Sequence, residues 1–556
     1  METEPKRVLI LGAGINGCAV ARELALNGLS VWLVDSADVA SGATSGSSRL
    51  IHGGLRYLEY GEFDLVKESL EERTRLLRLA PQFVHSLRLW IPATSRFGGA
   101  VGAVGRFFGW SWWPQPKVNR GSALIGAGLT MYDFYARDAT VPKHTCGSTP
   151  VAGAPPVDRR KYRRLCSYYD GQVMFPERLL LSMLEDARRV SQERGLDFRV
   201  FTYHQARLNG KTVEISPSDK ARSDQACTLE PAVIVNATGA WVDETLKRLH
   251  VPSQRLMGGT KGSHFFTFNQ RLREQLAAQG IYAEASDGRP VFITPLEQAV
   301  LIGTTDIPFQ GPPEDARATE GELAYLLDAV NTVLPEARLT ESDIDFHYSA
   351  VRPLPYTDAN STAAITRRHS FVWQTGTAVP MFSVVGGKLT TMRSLAEQAA
   401  GVTLEHLGRT PTANSRERVF PGGDDYPQGA VAVAATQQAI AQGSGRSAAA
   451  VAAVWKLCGT RSAEILEASA DRTLVNDLDL PCSFVRWSIE HEHAHTLADL
   501  VERRLMLLYH QRLTRGCLRR LAELLAEAGR LPSGDVDAAV EAEINRLRAR
   551  YGKRVA

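Results

Sequence analysis

The chain has 556 residues, more than one ordinary core accommodates, and a soft scale of ~150 residues per unit suggests three or four units. Its 44% hydrophobic and 22% charged content is that of a folded soluble protein, which excludes disorder, collagen and coiled coil for the chain as a whole. Sixty-four basic residues against 61 acidic ones leave a net charge of +3, too small an excess to call for a nucleic-acid partner.

The first element is the continuous apolar run Val8-Leu9-Ile10-Leu11, the pattern of a parallel strand covered on both faces. So early a strand leaves no room for a secretory or organellar leader. The run leads into Gly12-Ala13-Gly14-Ile15-Asn16-Gly17, which fits GxGxxG, and then into a helical stretch from about Ile15 to Asn27. A second run, Val31 to Val34, stops at Asp35. Gly12 permits the tight turn, Gly14 lets a pyrophosphate approach the backbone, and Gly17 lets the helix pack on the strand. The helix amino terminus offers N–H groups to phosphates, and Asp35 stands where a carboxylate accepts from a ribose. A dinucleotide is expected here, although the glycines alone do not choose between FAD and NAD.

The next segment favours FAD. Ser41 to Ser48 is a hydroxyl-rich loop, SGATSGSS, followed by RLIHGGLRY from Arg49 to Tyr57 and a helix from Phe63 to Leu79. FAD needs that donor capacity because its diphosphate and ribityl chain are held extended. Further on, Pro231 to Asn236 reads as a strand ending at the Ala237-Thr238-Gly239 turn, and Ser383-Val384-Val385 leads into Gly386-Gly387-Lys388-Leu389-Thr390-Thr391 and a helix from Met392. Candidate strands lie at Ser263–Phe268 and Val300–Thr304. Beyond the turn-rich stretch 421–429, an alanine-, leucine- and arginine-rich tail reads as several amphipathic helices. There, Glu490, His491, Glu492, His493 and His495 are expected in solvated or capping roles. The seven cysteines are scattered without a CxxC pair, which speaks against a disulfide framework or zinc site and suits a reducing compartment; no metal is expected. No uncharged apolar stretch reaches 18 residues, so a soluble or peripheral protein on the cytoplasmic side is expected.

The blocks GAGINGCAVARELALNGLSVWLVD and ATSGSSRLIHGGLRYLEYGEFDLVKESLEER resemble the FAD-dependent, quinone-linked glycerol-3-phosphate dehydrogenase family, within the D-amino-acid-oxidase-like flavoproteins. The resemblance continues through VNATGAWVD (235–243), TKGSHFF (260–266), IGTTD (302–306), SAVRPL (349–354), ITRR (365–368), SVVGGKLTTMRSLAE (383–397), VFPGG (419–423) and SIEHEHAHTLADLVERR (488–504). YYDGQVMFPERLL (168–180) departs from it, since the family usually carries an acidic pair before the arginine. The resemblance implies an α/β fold: a discontinuous Rossmann-like FAD-binding domain at about 1–90, 165–245 and 345–410, an inserted mixed α+β substrate domain at about 90–165 and 245–345, and a C-terminal all-α domain at 411–556.

The cofactor set taken from these motifs is Gly12, Gly14, Asn16, Gly17, Asp35, Thr44, Ser45, Ser47, Ser48, Leu50, His52, Gly53, Gly54, Gly239, Gly387, Lys388, Leu389 and Thr390. The implied substrate is glycerol 3-phosphate, a dianion that suits arginine forks. Arg56, Tyr57, Arg352, Arg367 and Lys388 stand in the matching motifs, with Arg352 and Arg367 expected to supply most of the phosphate clamp. The expected proton acceptor is His264, with Lys261 nearby to depress its pKa. Another polyol phosphate such as erythritol phosphate, or oxygen as acceptor, is the nearest alternative. An amine oxidase on the same fold, or a non-catalytic flavin-binding protein, is more distant. Three of the nine tryptophans fall within 110–113 of RFFGWSWWPQPK (106–117), which points to a headgroup region near a membrane quinone. Packing in a core or a homodimer interface is the other use for those aromatics. The basic cluster Arg546, Arg548, Arg550, Lys553 and Arg554 is expected to add attraction to anionic lipid.

Overall fold

A computed structural model describes residues 6–96, 121–136, 141–218, 226–357, 367–511 and 513–556. Its first sheet has six strands in the order Ser370–Trp373, Met381–Val385, Val233–Asn236, Arg7–Leu11, Ser30–Val34 and Phe198–Phe201, parallel except for the first edge strand. Alternation explains why the central strand is apolar throughout. Val8 and Ile10 pack with the helices Ile15–Leu26, Pro176–Glu193 and Met392–His406, while Leu9 and Leu11 pack with a three-stranded antiparallel sheet and the helix Val242–Arg248. The helix Phe63–Leu79 keeps the bounds expected from the sequence.

The second, larger sheet is mainly antiparallel and backed by the helices Gln270–Leu276 and Glu320–Val333. Its strand Thr260–Thr267 pairs with both Ala299–Gly303 and Phe346–Arg352, which sets His264 opposite Gly303 on one side and Tyr348 on the other. Strands Val84–Ala93 and Arg164–Val173 pair along this sheet too. On the outer side of the second, Thr145–Ser148 places Cys146 opposite Cys166, and the two form a disulfide. This corrects the expectation drawn from scattered cysteines: an antiparallel register aligned residues 20 apart, which no spacing rule reveals.

Among the described residues, five longer helices build the C-terminal region, Gly429–Ser444, Ala448–Cys458, Cys482–His491, Arg515–Glu527 and Val536–Tyr551, together with the shorter Ser462–Glu467. The fold is therefore α/β with an inserted mixed region and an all-α C-terminal region. The last of these shares one core with the larger sheet, because Phe266 stacks on Phe346 at 4.4 Å and Tyr509 packs edge-on against both. Glu492 corrects the solvated expectation: it is buried and pairs with Arg178 at 2.7 Å. A buried carboxylate persists only with such a partner. Lys553 is buried against Asp345, and Arg546 binds Glu502 and Glu543, so these two members of the basic cluster face inward partners rather than a lipid surface. Among the described residues no helix is long and apolar enough to cross a membrane.

Candidate active site

A cavity of about 670 Å³ runs between the two sheets, lined at one end by Gly12, Asp35 and Ala206 and at the other by Tyr57, Arg352 and Lys388. At the first end the sequence acts through backbone. Gly12 has φ +100° and a Cβ there would lie 2.7 Å from the Ala237 carbonyl oxygen; a Cβ on Gly17 would lie 1.9 Å from the Gly12 oxygen. Gly14, the residue before the helix, would meet only Thr44 Oγ1, at 3.6 Å. Its missing side chain therefore serves access from the cavity rather than protein packing. Asp35 is tied to the turn itself, accepting from the Ala13 N–H at 2.7 Å and the Ala37 N–H at 2.9 Å. Burial raises its pKa to about 6 against those two hydrogen bonds, and each carboxylate oxygen keeps a further lone pair for a ribose hydroxyl.

Thr44 Oγ1 accepts from the Ile15 N–H at 3.0 Å, so the hydroxyl-rich loop meets the helix amino terminus. Among the described residues, Asn16 Oδ1 and Ser47 Oγ are buried on the cavity wall without a hydrogen-bond partner, as polar groups reserved for a ligand are. These features fit a long diphosphate dinucleotide such as FAD. The second loop closes on the first. Gly387, at φ +95°, leaves no room for a Cβ beside Leu395 and Asn16, and Thr390 Oγ1 accepts from the His52 N–H at 3.1 Å. Leu50, Gly54, Ser48, Gly239 and Leu389 also line the cavity. Gly17, Ser45 and Gly53 do not. The Ser45 hydroxyl turns back to the Gly42 carbonyl at 3.1 Å, and Gly53 is small because Leu70 and Tyr132 crowd it, its N–H donating to Tyr132 Oη at 2.8 Å.

The far end is built from long side chains. Lys388 is half-buried, with its Nζ 4.9 Å over the Tyr57 ring and within reach of Ser69 Oγ. Burial lowers its pKa to about 7, with Arg367 adding to the shift and Glu68 and Asp170 opposing it. Arg352 donates to Asp306 at 2.8 Å, Thr304 Oγ1 at 2.9 Å, the Thr305 carbonyl at 2.9 Å and Thr260 Oγ1 at 3.3 Å. A Cβ on Gly262 would lie 2.2 Å from this guanidinium, so Gly262 makes its space. Arg56 and Arg367 line the same end.

His264 is buried, with Nε2 2.8 Å from Ser48 Oγ and Nδ1 unpartnered. Gly303 admits the imidazole, since a Cβ there would lie 2.0 Å from the ring. Burial, then Arg352 and Arg49, lower its pKa to about 3, and His52 is lowered to about 3 by burial, Lys388 and Arg367. Lys261 takes no part in this, correcting its expected role: it pairs with Glu322 at 2.7 Å. The sequence reading passed over Asp306 and Asp170 as site residues, although both stood in quoted segments, IGTTD and YYDGQ. Asp170 is buried on the cavity wall, with Arg73 at 3.1 Å and the Gly53 N–H at 3.4 Å. Their partners lie 46 and 97 residues away, so proximity in sequence gave no signal. Among the described residues no group of three or more His, Cys, Asp and Glu side chains has metal-ligand spacing.

A family profile described as FAD dependent oxidoreductase matches residues 7–393. A protein named glycerol-3-phosphate dehydrogenase from Synechocystis sp. is 32% identical over 89% of this chain and 88% of its own length. D-erythritol 1-phosphate dehydrogenase from Brucella abortus is 33% identical over 71% of this chain and 73% of its own. The solved glycerol-3-phosphate dehydrogenase from Bacillus halodurans, in complex with FAD, shares the fold at a TM-score of 0.72 and 20% identity, covering 99% of this chain and 96% of that one.

Proposed function

The chain belongs to the FAD-dependent oxidoreductase family, and from that premise we propose that it oxidises the C2 alcohol of sn-glycerol 3-phosphate to dihydroxyacetone phosphate and delivers the electrons to a membrane quinone. The observation that carries this reading is the gathering of Arg56, Arg352 and Arg367 at one end of the cofactor cavity, beside Lys388, a cationic wall suited to a phosphate dianion rather than a zwitterion. The relatives' names support the substrate class.

Bound FAD supplies the acceptor for the hydride that leaves C2. The protein's own residues do the rest. Arg367, which makes no ion pair among the described residues, takes the phosphate together with Arg56. Arg352 is fixed by four hydrogen bonds and contributes oriented charge at no cost of reorganisation. For the hydroxyl proton, a group with a pKa close to the working pH is the most effective acceptor. The Lys388 amine, at about 7, meets that condition better than the His264 imidazole, at about 3. Lys388 Nζ therefore takes the proton, while neutral His264 orients the substrate through its unpartnered nitrogen.

One finding favours a second substrate: a relative named for D-erythritol 1-phosphate shares a comparable identity with this chain, although over a shorter part of it than the relative named for glycerol 3-phosphate. Steady-state rates with a dye acceptor separate the two. The proposal expects kcat/KM for glycerol 3-phosphate to exceed that for erythritol phosphate and free glycerol by at least an order of magnitude; the reverse ranking would reassign the substrate. Peripheral membrane contact is proposed from the tryptophan-rich segment 106–117, which lies outside the described residues, and from the adjoining helix Ser122–Ala136, whose Phe134 is 66% exposed and Met131 38%. The Trp112→Ser/Trp113→Ser protein is expected to leave the membrane fraction while keeping dye-linked activity.

A further inference from the structure

The segment Thr496–Tyr509 reaches from the C-terminal helices to the back of the loop between Asp35 and Arg49, whose front lines the FAD cavity through Ser36, Ala37, Ser41, Thr44, Ser47 and Ser48. On that back side Asp38, 1% exposed, accepts from both terminal nitrogens of Arg504 at 2.7 Å each and from Arg503 Nε. Arg503 also donates to Asp499 at 3.0 Å, and Arg504 Nε donates to the Glu492 carbonyl at 2.8 Å. Consecutive side chains on an α-helix point about 100° apart. Here the turn Leu500–Arg504 is wound as a π-helix, and both arginines converge on one carboxylate. At the other end of the loop Arg49 is buried at φ +56°, an uncommon conformation for a non-glycine residue. Glu177 holds it at 2.8 Å and the Tyr509 hydroxyl lies against the same nitrogen.

Val39 beside the first anchor is buried in the core, but the rest of the loop, SGATSGSS, has hydroxyls and glycines and no large apolar side chain to fix it. Ordering such a stretch costs backbone entropy at every residue, and something outside the loop must offset that. We propose that the C-terminal region is a cofactor clamp: Arg503, Arg504 and Tyr509 are positioning residues that hold the loop 35–49 in its FAD-binding shape through Asp38 and Arg49. Coupling of this kind is reciprocal, so FAD in its site must in turn steady the segment 496–509. The clamp rests on the FAD assignment alone and stands whichever polyol phosphate is oxidised.

Hydrogen exchange of the full chain, with and without FAD, tests the clamp on unaltered protein. Peptides covering 496–509 should exchange at least tenfold more slowly with FAD bound, as should those covering 36–49, while the outer helix Gly429–Ser444 changes little. Equal slowing in all three regions, or none in 496–509, would overturn the proposal. Asp38→Asn adds an independent reading: the FAD dissociation constant should rise at least tenfold, and Arg504→Lys, which keeps the charge but not the fork, should fall between it and the parent. A parental dissociation constant in Asp38→Asn would also overturn the clamp. If that variant does not fold, the exchange comparison decides alone. Neither measurement uses glycerol 3-phosphate, so failure of the clamp and failure of the substrate reading cannot be confused.

Discussion

At the nucleotide end of the cavity the wall is backbone: Gly12, Gly14 and the helix amino terminus come from one stretch of six residues, with Asp35 bracing the turn through two N–H groups. At the substrate end it is long side chains, with Lys388, Arg352 and His264 carried on strands and turns from three separate parts of the chain. Each of these needs a distant residue to make room or to hold it, as Gly262 and Asp306 do for Arg352 and Gly303 does for His264. The first end is a local construction that tolerates no added atom at Gly12 or Gly17. The second is an assembly whose chemistry depends on charge and burial, so substitutions there should change kinetics before they change folding.

The contrast is broken most severely at Gly17, where a side chain would overlap the Gly12 carbonyl. Gly17→Val should be isolated without flavin absorbance, since such overpacking costs about 1–3 kcal/mol or more. Arg352→Ala should instead retain its flavin band and lose roughly 10³-fold in kcat/KM, or about 4 kcal/mol, because the oriented charge that Asp306 holds at the substrate end is gone. Lys388→Met should lower kcat by roughly 10²-fold and remove a pH dependence. In the parent the amine accepts a proton only when neutral, so kcat/KM should rise with pH and level off above about 7. A Lys388→Met protein that still shows this rise would move the proton acceptor elsewhere. Smallest of all is Ser45→Ala: among the described residues the hydroxyl donates to the Gly42 carbonyl alone, so flavin affinity and stability should stay within about 0.5 kcal/mol of the parent.

The same contrast decides how much could be read in advance. The strand, glycine turn, helix and Asp35 follow one another along the chain, and both the turn geometry and the crowding around Gly12 and Gly17 agree with the reading of GxGxxG. The helix Phe63–Leu79 was equally legible, since its apolar face repeats at helical spacing. Pairings across strands were not. The disulfide Cys146–Cys166, the Arg352–Asp306 pair and the Lys261–Glu322 pair all depend on the register of strands or helices that periodicity cannot align. Ser45 shows a smaller failure of the same kind: within a run of hydroxyls, the composition does not say which of them turns toward the ligand.

The most direct test of the central claim is the absorbance spectrum of the purified holoenzyme during anaerobic addition of sn-glycerol 3-phosphate. The account predicts a flavin band that bleaches stoichiometrically and recovers when quinone is added. A flavin band that persists at saturating glycerol 3-phosphate would contradict it.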